Sequence, residues 1–393
     1  MSGTRYIVAG SLIDGSGAAA RKNVFLKVVG ATIAAIGPVE ALPPLAGADL
    51  DDFSHCVIVP ALVDCSVSLA SSPAVASQRA GQDDEAAMLS RHLAYCHAHG
   101  VLGLADTGDP PGLAHRLGEA LAGSGVVAVR VAGDAAPRSE DCPGDCGAGG
   151  DFIKINYSEN IDAVPGPLSR PSPESLGRDL ARKGGRKAVV VANGQQEVAE
   201  ALAAGADAIE QGYGMGTENL RIMADREVLW IPSLLRAKNA LDGASGGGDV
   251  CCRFSTRYVA PGKPLPGAEA LWKKTLAEQL AQLGLARELG VRTAVGTGAG
   301  SVGILHGESA AEEMKLFLKA GYTLEESIRC ASVQGAGFFG MEALGMLAPG
   351  RQATFLIVRG TVQQLRRKLS YLEGIYIGGA PSPAYRKNPV RSA

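Results

Sequence analysis

Apolar and polar positions follow two different rhythms along this chain. Near both ends, short β-branched and apolar runs are separated by turn residues. Residues 5–10, 23–29 and 31–37 read as strands broken by Asp14-Gly15 and Gly30, and residues 353–359 and 375–379 resume the pattern near the other end. Between the two ends, compact apolar runs alternate with stretches of helical period. Strands are predicted at 57–63, 101–105, 126–132, 152–156, 188–192, 208–211, 228–232 and 292–296. Amphipathic stretches such as 196–204, 268–289 and 310–320 follow most of them and stop near a glycine or before the next strand.

Eight β-then-α units over about 280 residues predict an α/β fold of the (β/α)8 TIM-barrel type rather than an open sheet. The barrel is expected over 60–340, with a small β-sandwich domain assembled from both termini, 1–59 and 341–393. Residues 133–150 join two predicted strands without a helical pattern, the weakest point of this scheme.

Bulk composition narrows the function classes. Hydrophobic residues make up 46% and charged residues 20%, ordinary values for a globular chain with a large core. Lys plus Arg number 38 against 40 Asp plus Glu, a formal charge of −2, so no basic excess draws the chain to nucleic acid or to an anionic membrane. No apolar run approaches the roughly 18 residues of a membrane span. The start, Met1-Ser-Gly-Thr-Arg-Tyr-Ile-Val, lacks the features of a secretory signal, and the expected location is the cytoplasm. The eight cysteines then read as reduced thiols, packing residues or metal ligands rather than a disulfide framework.

Five stretches carry a resemblance. Leu12-Ile-Asp-Gly-Ser-Gly with Ala31-Thr-Ile-Ala-Ala-Ile-Gly resembles the opening of metal-dependent amidohydrolases, and Val59-Pro-Ala-Leu-Val-Asp resembles the approach to their first barrel strand. Ala203-Ala-Gly-Ala-Asp-Ala-Ile-Glu-Gln-Gly and Ala294-Val-Gly-Thr-Gly-Ala-Gly resemble the ends of the sixth and eighth strands. Leu344-Gly-Met-Leu-Ala-Pro-Gly-Arg-Gln-Ala-Thr-Phe-Leu-Ile-Val resembles the return into the terminal domain. In order and spacing the chain is most similar to the imidazolonepropionase-like branch of the amidohydrolase superfamily. The resemblance implies hydrolysis of non-peptide C–N bonds at the C-terminal mouth of the barrel, where a divalent ion lowers the pKa of bound water.

The same resemblance implies six ligand positions, and this chain departs from five of them. The His-x-His pair falls on Ser66 and Ser68, the fifth-strand histidine on Val191, the sixth-strand histidine on Gln211 and the eighth-strand aspartate on Gly298. Only the fourth-strand lysine, Lys154, is kept. Neutral Ser, Val, Gln and Gly give a divalent ion little charge or basicity, so no metal and no cofactor is expected.

Several mouth residues carry two readings. Lys154 is either a partly desolvated amine available for catalysis or a remnant paired with Asp64 or Glu210. Cys65 is a mouth thiol or a small apolar filler. His306 is a ligand contact or a group that fixes a loop. Together with Ser66, Ser68, Asn193 and Gln211, Cys65 and His306 form the candidate ligand-binding set. His92, His97 and His99 lie on a predicted helix at the far end of the barrel and read as packing or surface residues. Cys142, Cys146, Cys251 and Cys252 sit in two Gly-rich loops; converging thiolates would suit zinc or an iron–sulfur cluster, but their spacing is irregular and they are expected apart.

Three function classes follow. The loss of ligands favours a ligand-binding or regulatory pseudoenzyme that takes a small molecule, as a homo-oligomer or beside an active paralogue. The others are a metal-independent hydrolase working through Lys154 and a conventional metal-dependent amidohydrolase, a label the fold alone would attract.

Overall fold

The computed structural model describes residues 3–45, 47–73, 85–106, 117, 120–121, 123–133, 150–158, 171–244, 266–382 and 390–391. The chain opens with β1 (Thr4–Leu12), β2 (Arg21–Val29), β3 (Thr32–Pro38) and β4 (Asp49–Pro60). Seven parallel strands follow: β5 (Leu62–Val67), β6 (Val101–Asp106), β7 (Ala128–Gly133), β8 (Phe152–Asn156), β9 (Lys187–Ala192), β10 (Ala208–Gln211) and β11 (Leu229–Ile231). The chain then returns to the first sheet through β12 (Phe355–Arg359), β13 (Leu372–Ile377), β14 (Ala380–Pro381) and β15 (Val390–Arg391).

The seven parallel strands are paired in chain order from β5 to β11. What closes them into a barrel is the predicted eighth strand, here held by isolated bridges instead of a ladder. Trp230 bridges Thr293 on one side and Val67 bridges Ala299 on the other. Backbone bonds from Ala294 N to Trp230 O and from Cys65 N to Val295 O, both 2.9 Å, secure the same closure. The fold is thus a nearly closed TIM-like barrel carrying a separate sheet made from both termini. The barrel strands are short continuous apolar runs because both of their faces are covered; in β9 every residue from Ala188 to Ala192 is buried.

Helices wrap the barrel: α1 (Glu85–Ala98), α2 (Pro173–Ala181), α3 (Gln195–Ala203), α4 (Gly216–Asp225), α5 (Leu234–Ala244), α6 (Ala268–Leu289), α7 (Glu308–Lys319), α8 (Leu324–Cys330) and α9 (Val333–Phe338), with α10 (Val362–Lys368) beside the terminal sheet. Among the described residues no helix is long and apolar enough to cross a membrane. Residues 134–149, the stretch with no helical pattern, lie outside the described residues.

The terminal strands form one eight-stranded sheet with the path β14-β13-β12-β4-β1-β2-β3, and β15 on β4. Period-two alternation gives each face its own job. Phe355 and Ile357 on β12, and Cys56 and Ile58 on β4, enter the sheet's own core with Val24, Leu26 and Tyr376. Their neighbours Leu356, Val358, Val57 and Val59 belong to the barrel core. This double burial explains one difference from the sequence. The apolar run 57–63 was expected as one strand, yet it spans the end of β4 and the start of β5, divided only at Ala61.

The two bodies meet closely at Gly100, which ends α1 with φ +75°. A Cβ there would lie 2.6 Å from Leu356 Cδ1 and 3.2 Å from Leu372 Cδ1, both on the terminal sheet. Gly100→Ala is therefore expected to cost about 1–3 kcal/mol, from left-handed strain plus overpacking. Urea unfolding checks this; an unchanged midpoint would show that the interface relaxes freely.

Candidate functional site

The C-terminal ends of the barrel strands gather a buried polar network. On β5, successive side chains alternate, so Asp64 and Ser66 share one side and Cys65 takes the other. Asp64 accepts bonds from Thr297 Oγ1 (2.6 Å), Thr297 N (2.9 Å) and Ser66 N (3.2 Å). Burial pushes its carboxyl up to about 6, against the pull of those donors and with the help of the nearby Glu210 charge. Glu210 on β10 is the hub. Its Oε1 accepts from Ser66 Oγ at 2.8 Å, and its Oε2 meets Lys154 Nζ at 2.7 Å. Burial raises the Glu210 carboxyl, but Lys154, Arg236 and Ser66 outweigh it and hold the group below its ordinary range. Of the two partners anticipated for Lys154, the geometry gives Glu210, while Asp64 turns to Thr297.

Beside this hub lies an amide pair. Asn193 Nδ2 donates to Gln211 Oε1 at 2.9 Å, and Asn193 Oδ1 accepts from Tyr213 N at 3.0 Å. Gln211 ends β10 with φ +69°, an uncommon conformation for a side-chain-bearing residue. Its carbonyl accepts from Trp230 Nε1 (3.0 Å) and Gln279 Nε2 (2.7 Å), which hold the chain there. Val191 pairs in register with Glu210, and Gly298 N donates to Ser66 O at 2.8 Å. Ser66, Lys154, Val191, Gln211 and Gly298 are therefore linked around one end of the barrel, and Ser68 joins them by donating its amide to Ala299 O at 2.8 Å.

The loop after β5 is pinned by two imidazoles. His306 Nε2 donates to Ser68 O (2.9 Å) and His92 Nδ1 donates to Leu69 O (2.8 Å), while the rings stack 3.9 Å apart. Burial first, and then the neighbouring His92, push His306 down to about 3. His306 and His92 therefore fix the loop after β5 together, so His92 stands on the mouth side and not at the far end where its helix was expected to place it; His97 is buried with Nε2 3.0 Å from Ser382 Oγ, and His99 is only half-buried. Cys65 packs so tightly that a Cβ on Gly335 would lie 2.4 Å from its Sγ, and burial raises its thiol well above the ordinary range. That environment is a filler's, not a nucleophile's. Cys142, Cys146, Cys251 and Cys252 lie outside the described residues.

Two charged groups had no motif to announce them. Arg236, in the first turn of α5, is buried against Gly298: a Cβ on that glycine would lie 2.7 Å from Arg236 Nε and 3.0 Å from Cζ. Glu313 on α7 is also buried and accepts from the first two amides of α5, Leu234 N at 2.8 Å and Leu235 N at 2.7 Å. Both depend on the turn at Ser233 (φ +47°), which is invisible in the residue pattern.

As for a metal, no group of three or more His, Cys, Asp or Glu side chains converges among the described residues. The mouth carboxylates already accept from Thr297, Ser66 and Lys154.

Comparison with known proteins adds the following. A model of the Amidohydrolase family matches residues 178–382, more than half of the 393-residue chain. No curated protein matches the sequence. Among solved structures, a Xaa-Pro dipeptidase with bound methionine is similar, with a TM-score of 0.75 and 19% identity over 96% of this chain and 99% of that one. The ochratoxinase of A. niger gives a TM-score of 0.75 at 16% identity, covering 99% of this chain and 96% of its own. A prolidase complexed with N-methylphosphonate-L-proline gives 0.74 at 18% identity, over 96% and 99%. At these identities the likeness speaks for the fold.

Proposed function

From the premise that this chain belongs to the amidohydrolase family, we propose that it is a ligand-binding or regulatory member whose mouth holds an internal ion-paired network in place of a metal centre. The observation that carries this reading is the triad of Lys154, Glu210 and Ser66. In it both oxygens of Glu210 are engaged, at 2.7 Å and 2.8 Å. The donor set does not fit a divalent ion. Gly298 offers no side chain and has a guanidinium beside it, Val191 is apolar, and the Gln211 amide oxygen already takes Asn193 Nδ2. Two adjacent cations, Lys154 and Arg236, would also repel an incoming ion.

Within the family we favour the imidazolonepropionase-like branch on the motifs quoted above. The ligand class we propose is a small amino-acid derivative, in keeping with the methionine and the N-methylphosphonate-L-proline held by two similar structures. We place the protein in the cytoplasm, acting as a homo-oligomer or beside an active paralogue. The metal-independent hydrolase is weaker, because Lys154 Nζ is held 2.7 Å from the buried Glu210 carboxylate as its internal partner instead of being presented to a substrate.

Elemental analysis after chelation and reloading with zinc or manganese tests the proposal, alongside hydrolysis assays on N-acyl amino acids and dipeptides. The expected result is substoichiometric metal and no metal-stimulated turnover. Stoichiometric metal among the mouth residues with metal-dependent hydrolysis would overturn it in favour of a conventional enzyme. Metal-free turnover abolished by Lys154→Met would favour the second class.

A further inference from the structure

Between α5 and α7 lies a small cavity whose chemistry the mouth network does not explain. It holds about 20 Å³, room for one water-sized group. Asn239 and Asp242 of α5 line it, together with Glu308, Ser309 and Glu312 of α7. Asn239 Nδ2 donates to Val302 O at 2.8 Å and so ties the intervening loop to α5. Three carboxylates thus surround a space that takes one small group. Two of them are answered by cations of their own helices: Lys238 pairs with Asp242, and Lys315 Nζ lies 2.5 Å from Glu312 Oε1. Glu308 has no such partner among the described residues. A carboxylate in the first turn of a helix also answers the helix dipole, and that alone would make Glu308 ordinary. Ser309 is not accounted for in that way. It is only 6% exposed and borders the cavity, yet its hydroxyl has no hydrogen-bond partner among the described residues. Asn239 is in a similar position at its other end. With Nδ2 committed to Val302, its Oδ1 accepts from no donor among the described residues.

Size, charge and acceptors together indicate what fills this space. Three carboxylates repel an anion. A multivalent metal ion is a poor occupant, since no group of three or more His, Cys, Asp or Glu side chains among the described residues is arranged to hold one. An ammonium head meets each requirement. It is one heavy atom in size and brings one positive charge for Glu308. Its three N–H donors match the Glu308 carboxylate, Ser309 Oγ and Asn239 Oδ1. Leu235 and Leu305, which also line the cavity, give a short carbon stem an apolar wall. We propose that the cleft between α5 and α7 is a binding site for a small primary alkylammonium ion, separate from the mouth network of Lys154, Glu210 and Ser66. It stands independently of the reading of the mouth.

Titration calorimetry on the full chain, at neutral pH and fixed ionic strength, tests it with n-butylammonium chloride. The controls are n-butanol, which lacks the charge, and tetramethylammonium chloride, which lacks the N–H donors. n-Butylammonium is expected to bind saturably, with a Kd on the order of 1 mM for so small a ligand. It should bind at least about tenfold more tightly than either control. Glu308→Gln is expected to weaken it about tenfold, and Ser309→Ala about threefold. No saturable binding to the unaltered chain, or equal binding of either control, would overturn the site. Unchanged affinity in Glu308→Gln would overturn it as well, by placing the amine elsewhere on the protein. Should Glu308→Gln fail to fold, Ser309→Ala decides: a loss of about threefold supports the site, and unchanged affinity overturns it.

Discussion

Lys154→Met is expected to destabilise the protein by about 3–5 kcal/mol, the usual cost of stripping one partner from a buried ion pair. Lys154 Nζ lies 2.7 Å from Glu210 Oε2, and Glu210 is only 1% exposed. Without the lysine, Glu210 either remains a buried anion supported by Ser66 and the Arg236 charge, or it takes a proton. Both outcomes favour the unfolded chain at neutral pH, where the carboxylate is hydrated. Lys154→Met/Glu210→Met is expected to recover most of the loss, because neither charge then needs a partner. Urea unfolding of the unaltered chain, both single variants and the double variant closes the cycle. A single-variant loss under about 0.5 kcal/mol would mean that water reaches the pair and that the mouth is not the closed network described above.

The second large effect concerns Glu313 and has a definite sign with pH. Burial pushes its carboxyl from 4.5 up to about 8, against the two α5 amides that favour the charged form and with Asp64 adding to the rise. Between those values the native chain holds a proton that the unfolded chain has released. The group's contribution is thus fully present below about 4.5 and is lost as pH climbs through about 8. Glu313→Gln removes this dependence. The amide keeps one carbonyl oxygen for Leu234 N or Leu235 N and leaves the other unpaired, a cost of about 1–3 kcal/mol near pH 5. Towards pH 9 the difference is expected to swing by several kcal/mol in favour of glutamine, on the order of 1.36 kcal/mol for each unit of pKa rise. Unfolding free energies of both chains across that range decide it; parallel pH profiles would show that Glu313 stays ionised on its amides throughout.

Elements with a helical period, or with an apolar run bounded by polar and turn residues, were readable from the residues alone. The helix expected over 268–289 is α6 with those same limits, and the Val189-Val-Val run gave β9. Where both faces of a strand are buried, the alternation that marks an edge disappears, and β4 therefore merged with β5 across Ala61. At the mouth, the positions of Ser66, Lys154, Gln211 and Gly298 could be read because strand order fixes them. Sequence alone does not choose between Asp64 and Glu210 as the partner of Lys154, because the choice depends on Thr297, whose hydroxyl takes Asp64 at 2.6 Å. The role of His306 is likewise set by its bond to Ser68 O, a contact that no motif encodes. Arg236 and Glu313 escaped altogether. Each acts through the Ser233 turn, and a left-handed serine has no signature in hydrophobic pattern or motif.

The junction at Ala61 has a mechanical meaning. β4 ends at Pro60 and β5 begins at Leu62, so one nearly continuous extended segment is the spine of the terminal sheet and the first stave of the barrel. Cys56 and Ile58 are clamped in one core while Val57 and Val59 are clamped in the other, which leaves this segment little freedom to slide or pivot. Extended backbone advances about 3.3 Å per residue, so Val59, the last residue of the clamp, stands only about 17 Å of chain from Asp64. The terminal sheet and the candidate site therefore share one covalent segment, packed into both cores before it reaches Asp64 and Ser66.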